Sequence, residues 1–185
     1  MALILSAPLF LEGCGKDIPS KPRAPGPFIY PDQSTIEHTL LRMAAAFARR
    51  DSATTESVYA DDYEGTSTDL TDPFSSTFTF VKSDERRAVA EMAMSSDITF
   101  VEFNLYSQNS WLRTHYGTDP PEWVTLQIPF FTIEVRTSSG GYKVQSPNVI
   151  DSHQFEFTFR PTTPAPSPTD TIWSIVRWVE RREPN

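Results

Sequence analysis

Apolar side chains recur at helical spacing from residue 36 onward. They lie three or four positions apart, on one face of a helix that the pattern predicts over about 35–50. The residues of this face are Ile36, Leu40, Met43, Ala44 and Phe47. Ser34 and Glu37 have the separation of a capping box, so Ser34 is expected to be the N-cap residue. This amphipathic helix is the clearest element that the sequence predicts.

Two shorter helices are predicted after the first. One covers about 53–60 and is expected to end where 61–65 supplies Asp and Gly, residues that favour turns. The other covers about 84–95. Between them, 66–68 predicts a brief strand, and the alternating Thr and Phe residues of 77–82 predict a second strand.

The remainder of the chain has the pattern of β-strands. Runs of aromatic and β-branched residues predict four long strands, over 98–108, 123–137, 151–160 and 171–182. A Ser-Ser-Gly-Gly turn follows the second of these, and a proline-rich connection precedes the last. The predicted fold class is therefore α+β, with one long N-terminal helix and two shorter helices packed on a strongly bent antiparallel sheet.

Alternation along two of these strands assigns their faces. In 151–160, three phenylalanines share one face and the residues between them are polar, so the phenylalanine face is expected to be buried. In 123–137, the apolar parity changes at Pro129, as expected of a β-bulge that bends the sheet. A bent sheet over a long helix predicts a cone with a pocket. The predicted lining residues are Phe131, Phe155, Phe157 and Phe159.

Charge and reactive residue types argue against several classes of function. The formal net charge is -8, so a phosphate backbone would be repelled and no nucleic-acid partner is expected. The one cysteine rules out an intramolecular disulfide bond. The three histidines lie far apart and the 7 glycines are scattered, so we expect neither a metal site nor a bound cofactor.

An uncharged apolar run precedes the single cysteine. Residues 2–10 read ALILSAPLF, which is too short to span a bilayer but has the length of a signal-peptide core. The sequence Leu-Glu-Gly-Cys at 11–14 resembles the lipobox of bacterial lipoproteins. Glu12, and a run with no preceding Lys or Arg, depart from the usual pattern. The resemblance implies cleavage before Cys14 and lipidation of its thiol.

A proline-rich segment separates this cysteine from the first helix. It contains five prolines between residues 15 and 31 and has no hydrophobic periodicity, which is typical of a semi-rigid spacer. We therefore predict a signal peptide at 1–13, a lipidated Cys14 and linker at 14–33, and one domain at 34–182. The resemblance implies a bacterial cell-envelope location. Because Gly15 rather than Asp follows the cysteine, it implies the outer membrane, facing the periplasm, in a diderm bacterium.

The order of elements resembles the nuclear transport factor two-like superfamily, the cone-shaped α+β fold also used by ketosteroid isomerases and polyketide cyclases. The resemblance covers about 34–182. It also depends on FARRD at 47–51, YADDYEG at 59–65 and IWSIVRWVE at 172–180. The superfamily includes enzymes, binding modules and proteins of no known activity, so the resemblance implies a fold and not a function. It also implies a homodimer through the outer face of the sheet.

The best candidate for chemistry is Asp151 with His153. At positions i and i+2 of a strand they share one face with Phe155, so a carboxylate and an imidazole would border an apolar cavity and could act as a general base. The alternative is that both residues start the strand near solvent and have no catalytic role. We therefore leave the catalytic residues unassigned.

Other polar and aromatic candidates are more typical of structural roles. Asp61 and Asp62 are expected in a solvated turn, and His38 lies off the apolar face of the first helix. His115 lies in a long loop that is either a lid or a packed surface excursion. The residues Tyr59, Tyr63, Trp173 and Trp178 are expected in the core rather than around a ligand.

Two functions follow from the sequence. The first is a membrane-anchored lipoprotein without catalysis, whose domain binds a small apolar ligand or an envelope protein, or pairs with itself. The alternative is a cyclase- or isomerase-like enzyme that uses Asp151 and His153. The first is favoured because the chain has the layout of anchor, linker and domain and lacks a constellation of reactive residues.

Overall fold

In the part of the chain that the structure describes, three α-helices pack on strands that belong to two sheets. A computed structural model describes residues 28–70, 76–146, 151–162 and 171–184. The helices are α1 (Ile36–Arg49), α2 (Ser52–Ser57) and α3 (Lys82–Met94). The strands of the described residues are β1 (Tyr59–Asp69), β2 (Thr77–Val81), β3 (Ile98–Leu105), β4 (Leu112–Thr114), β5 (Val124–Ile128), β6 (Phe131–Thr137), β7 (Gly140–Ser146), β8 (Asp151–Pro161) and β9 (Trp173–Pro184). No helix in this part of the chain has the length and apolar character needed to cross a membrane.

The larger sheet has the strand order β2-β1-β9-β8-β5-β4, and the smaller has the order β3-β6-β7. All neighbouring strands are antiparallel except β1 and β9, which run parallel. The α+β class with three helices on a bent sheet is confirmed. The expectation of a wholly antiparallel sheet is wrong, because the first and last strands of the domain pair side by side in the same direction.

The bend in the sheet lies at Pro129, as predicted. The single strand expected over 123–137 is divided there into β5, which pairs with β8, and β6, which pairs with β3 and β7. Leu126 and Ile128 are buried before the bend, and Phe131 and Ile133 are buried after it. The change of parity therefore carries the apolar face from one sheet to the other.

Strand β1 replaces the predicted end of the second helix and the turn at 61–65. Helix α2 ends at Ser57, and β1 continues to Asp69 through residues that usually form turns. Tertiary pairing overrides this local preference, because β1 lies between β2 and β9. Gly65 is required by packing rather than by a turn: a Cβ atom there would lie 2.0 Å from Cε2 of Phe80.

Two further strands lie where only loops and a turn were predicted. Strand β7 follows directly after Ser139 and pairs with the whole of β6, and the short β4 pairs with β5. The sequence of β7 is largely polar, and only Val144 of its residues is buried. Without alternating apolar residues, neither strand has a pattern that local analysis detects.

The N-cap of the first helix lies one residue later than predicted, and the helix begins at Ile36. Thr35 is the N-cap residue, and its side chain accepts a hydrogen bond from the backbone N–H of His38 at 3.1 Å. Ser34 instead donates its hydroxyl to Asp32 at 2.6 Å. Residues before the helix also contact the domain, since Tyr30 donates its hydroxyl to Asp51 at 2.9 Å and Gln33 bonds to Trp173.

The core lies between α1 and the phenylalanine face of β8. Leu40 and Met43 of α1 have no exposed surface, and Phe155, Phe157 and Phe159 are at most 1% exposed. Burial of this face confirms the alternation argument. The polar face of the same strand is also buried at its centre, since Glu156 and Thr158 are 6% and 2% exposed. The sequence did not predict this second layer.

Candidate ligand-binding cleft

Asp151 and His153 lie at the first positions of β8. The strand register places them opposite Pro184 and Arg182 of β9, at one end of the larger sheet. Their side chains lie outside the described residues, as does Cys14. The predicted general base and the predicted lipidation site therefore stay predictions.

The four phenylalanines predicted to line a pocket lie in a closed core. Phe131 and Phe155 stack with their ring centroids 3.7 Å apart, and Phe157 packs edge-on against Phe155. Phe159 has no exposed surface. None of the four lines the cleft described below.

The acidic pair and the histidines outside β8 are exposed and locally paired. Asp61 binds Lys82 at 2.9 Å, and Asp62 accepts both guanidinium nitrogens of Arg160 at 2.7 Å. His38 lies 2.7 Å from Asp32. Within the described ranges, no group of three or more His, Cys, Asp or Glu side chains is placed to hold a metal ion.

The long loop that contains His115 is a packed surface excursion. Tyr116 donates its hydroxyl to Glu156, and Asp119 binds Arg177 at 2.8 Å. These contacts cover the polar face of β8 and β9. Trp111 is 8% exposed and anchors the start of the excursion, with its indole N–H donated to the carbonyl of Tyr106 at 3.1 Å.

A row of three residues across β2, β1 and β9 forms the floor of a cleft. Phe80 is opposite Gly65, and Gly65 is opposite Trp178. Because Gly65 has no side chain, the Phe80 ring lies across it and reaches Trp178, with the ring centroids 6.0 Å apart and the planes at 87°. The two rings therefore meet as perpendicular apolar surfaces.

Helix α3 forms the wall of the cleft that faces this floor, and it places the carboxyl group of Glu85 in the interior of the domain. Asp84 accepts the backbone N–H of Val81 at 3.1 Å, which fixes the start of the helix. One residue later, Glu85 is 8% exposed and accepts the hydroxyl of Tyr63 at 2.9 Å. Tyr63 in turn packs on Tyr59, with the ring centroids 4.2 Å apart.

The cleft between these walls has a volume of about 390 Å³. It is lined by two aromatic rings, one alanine, one arginine and four acidic residues: Phe80, Trp178, Ala88, Arg87, Asp84, Glu85, Glu91 and Glu180. This space is large enough for a small organic molecule. Three of the eight lining residues are apolar and five are charged, so apolar and polar contacts converge on the same space.

Burial changes the acidity of two groups in this cleft. It raises the pKa of Glu85 to about 7; the hydrogen bond from Tyr63 opposes this, and the nearby charges of Asp84 and Glu180 add to it. Burial also raises the pKa of Glu180, and a hydrogen bond from Ser67 opposes that rise. At neutral pH Glu85 therefore exchanges between an acceptor-only carboxylate and a carboxylic acid that can donate.

Comparison with solved structures shows which fold this is. A conserved protein of Planctomyces limnophilus matches with a TM-score of 0.51 at 14% identity, over 81% of this chain and 94% of that chain. An NTF2-like protein of unknown function in nutrient uptake from Rhodospirillum rubrum matches with a TM-score of 0.51 at 14% identity, over 80% and 97%. The chain has the nuclear transport factor two-like fold.

A third match in this fold is a candidate aromatic ring hydroxylase of Novosphingobium aromaticivorans. It has a TM-score of 0.53 at 12% identity, and the match covers 86% of this chain and 96% of that chain. No family model and no curated protein matches the sequence. At these identities the similarity shows the nuclear transport factor two-like fold alone, and this fold serves both catalytic and non-catalytic proteins.

The sequence analysis missed Glu85, the central residue of the cleft. It lies in the run Asp-Glu-Arg-Arg at 84–87, which has the pattern of a solvated helix surface. Helical spacing contained a signal, because Glu85, Val89 and Met92 are separated by four and three residues and so share one face. Val89 has no exposed surface, and Glu85 is buried beside it.

Proposed function

We propose that this protein is a lipid-tethered, extracytoplasmic binding domain that holds a small, largely apolar ligand in the cleft between α3 and β9. The observation that carries the proposal is the combination of Phe80 and Trp178 with the buried Glu85–Tyr63 pair around one cleft. The aromatic rings supply apolar contact, and the carboxyl group supplies a directional polar contact. A ligand with a polar group at one end fits this arrangement.

Filling the cleft tests the binding site directly. Ala88 lines the cleft and is exposed, so Ala88→Trp is expected to occupy the space without disturbing the core. We expect the fluorescent neutral probe N-phenylnaphthylamine to bind the native domain and to lose affinity at least about tenfold in this variant. The measurement is a fluorescence titration.

The matched control for this experiment is Ala93→Trp. Ala93 is an exposed alanine of the same helix and does not line the cleft. It is expected to leave probe affinity within about twofold of the native value. Equal affinities for the native protein and the Ala88→Trp variant would show that the probe binds elsewhere, and the proposed cleft would be rejected.

The proposed tether depends on Cys14. Acylation of this thiol after cleavage would hold the domain at a membrane surface. We expect the full-length chain, expressed in a bacterium, to partition with the membrane fraction and to have a mature mass that includes a lipid. Cys14→Ser is expected to abolish both properties. A native chain that is soluble and of unmodified mass would contradict the tether and leave the ligand-binding proposal intact.

The other predicted partners, an envelope protein or a second copy of the chain, stay predictions. The outer face of the sheet that would carry a homodimer is occupied in part by the chain's own excursion, through Tyr116 on Glu156 and Asp119 on Arg177. The cyclase- or isomerase-like alternative requires the side chains of Asp151 and His153, and it also stays a prediction.

A further inference from the structure

The cleft contains a buried hydrogen-bond donor that the domain leaves unpaired. Trp178 lines the cleft and is 6% exposed, and its indole nitrogen Nε1 is buried without a hydrogen-bond partner in the described part of the chain. By contrast Trp111, which is also buried, donates its indole N–H to the carbonyl of Tyr106 at 3.1 Å. An unpaired buried donor is costly, because it loses its bond to water and gains none in the protein. An acceptor that enters the cleft would remove this cost.

Within the described ranges, the core side of Trp178 is aromatic. Its ring packs there against three phenylalanines that are at most 4% exposed: Phe103, Phe155 and Phe157. These side chains have no oxygen or nitrogen atom, and the face of a ring is only a weak acceptor. Because they close the core side, an acceptor reaches the indole from the cleft. Phe80, the fourth ring against Trp178, is partly exposed and lies on the edge strand β2, so its movement can admit a ligand.

The charges of α3 favour a neutral acceptor over an anionic one. This helix contributes three carboxyl groups to the lining, those of Asp84, Glu85 and Glu91. Its one guanidinium group there, that of Arg87, binds Asp84 at 2.7 Å, and the Arg87 side chain is 67% exposed. A carboxylate or phosphate brought to Trp178 would therefore lie among groups of its own charge. A neutral oxygen accepts the indole N–H without this repulsion.

We propose that the cleft holds a neutral molecule with an apolar body and an oxygen acceptor, such as a carbonyl oxygen, to which the indole N–H of Trp178 donates. The inference rests on the proposed binding function and names its ligand class. The apolar body lies along Phe80 and Ala88, and not between the Phe80 and Trp178 rings, which pack on each other. The hydrogen bond favours binding strongly because its donor is already desolvated in the free domain.

Three naphthalene probes of nearly one shape isolate the acceptor: 2-acetylnaphthalene, 2-isopropenylnaphthalene and 2-naphthoate. In the second, a methylene group replaces the carbonyl oxygen of the first, and the third has acceptors and a negative charge. Their affinities are measured by displacement of N-phenylnaphthylamine, followed by fluorescence. Because the alkene is the more hydrophobic probe, the quantity compared between proteins is the ratio of the ketone and alkene affinities. We expect 2-naphthoate to bind at least about tenfold more weakly than the ketone.

Removal of the donor locates the hydrogen bond. Trp178→Phe keeps an aromatic ring and removes the N–H, so it is expected to lower the ketone-to-alkene ratio about fivefold or more. The control is Trp173→Phe, which changes a partly buried tryptophan of the same strand that does not line the cleft. It is expected to leave the ratio within about twofold of the native value. A ratio that Trp178→Phe does not change overturns the proposal.

An NMR measurement on the native domain does not depend on the folding of a variant. A hydrogen bond to a carbonyl oxygen moves the signal of an indole N–H proton downfield. We expect 2-acetylnaphthalene to move the assigned Trp178 signal further downfield than the alkene does, since both probes carry the same ring system. Trp111, whose N–H is already bonded to a carbonyl, is expected to keep its signal and is the internal reference. Equal Trp178 shifts with the two probes contradict the hydrogen bond.

The outcomes distinguish this inference from the proposed function. If Ala88→Trp weakens N-phenylnaphthylamine binding but the ketone gains nothing from Trp178, the acceptor ligand is wrong and the binding function stands. If 2-naphthoate binds as tightly as the ketone, the neutral ligand class is rejected. If Ala88→Trp lowers the affinity of neither N-phenylnaphthylamine nor the ketone, both proposals are rejected.

Discussion

Phe155→Ala is expected to destabilise the domain by about 3–5 kcal/mol, the range for removing a fully buried phenylalanine. Phe155 is 1% exposed, stacks on Phe131 at 3.7 Å, and packs edge-on against Trp178 at 5.6 Å. Truncation would remove these contacts and leave a void between the two sheets. The free energy of unfolding, from urea denaturation, measures the effect.

This variant also separates two roles for the phenylalanine face. As a closed core, the face loses stability on truncation; as the lining of an open pocket, it would lose little and would bind probes differently. The control is Phe78→Ala in β2, since Phe78 is 66% exposed and is expected to change stability by less than about 0.5 kcal/mol. Similar losses at both positions would contradict the assignment of Phe155 to the core.

The sequence predicts those parts of the fold in which the spacing of apolar residues along an element matches the face that the element buries. Helix α1 has apolar residues on one face and packs that face on the sheet. The phenylalanines of β8 alternate with polar residues, and the parity change at Pro129 coincides with the passage from β5 to β6. In each case the information is local, within one element or one bend.

The parts that were not predicted are decided by contacts distant in sequence. β1 contains Asp61, Asp62 and Gly65, which favour a turn, and it is a strand because β2 and β9 pair with it. Strand β7 has little apolar alternation and is held by β6. Burial of Glu156 depends on Tyr116, forty residues away. No local pattern specifies these pairings.

The candidate site was also missed because it depends on contacts between residues that are distant in sequence. The sequence favoured Asp151 and His153, because a carboxylate and an imidazole at alternate strand positions are a familiar pairing. The cleft instead depends on Phe80, Gly65 and Trp178, which come together only through the sheet register. Glu85 stands in a charged run, and its burial is visible only once α3 is packed on β1.

Glu85→Gln is expected to remove most of a pH-dependent loss of stability. In the unfolded chain the carboxyl group has its ordinary pKa of 4.5, and in the folded domain burial raises that pKa to about 7. Between these values the folded state retains a proton that the unfolded state has released, so the free energy of unfolding falls as pH rises. The stabilisation that comes from protonated Glu85 is fully present below the pKa of the unfolded state and is lost as pH rises through the pKa of the folded state. The full loss is on the order of 3 kcal/mol.

The glutamine side chain has nearly the shape of glutamate and cannot ionise, so the comparison measures the effect of the charge on stability. Its carbonyl oxygen can still accept the hydroxyl of Tyr63, so the variant and the native domain should be about equally stable near pH 5. Near pH 8.5 the variant should be the more stable by roughly 2–3 kcal/mol. Glu180→Gln should show a smaller effect of the same sign, because burial raises that pKa too. Urea denaturation at both pH values measures the difference, and parallel pH profiles for the native and Glu85→Gln domains would mean that Glu85 is exposed to water.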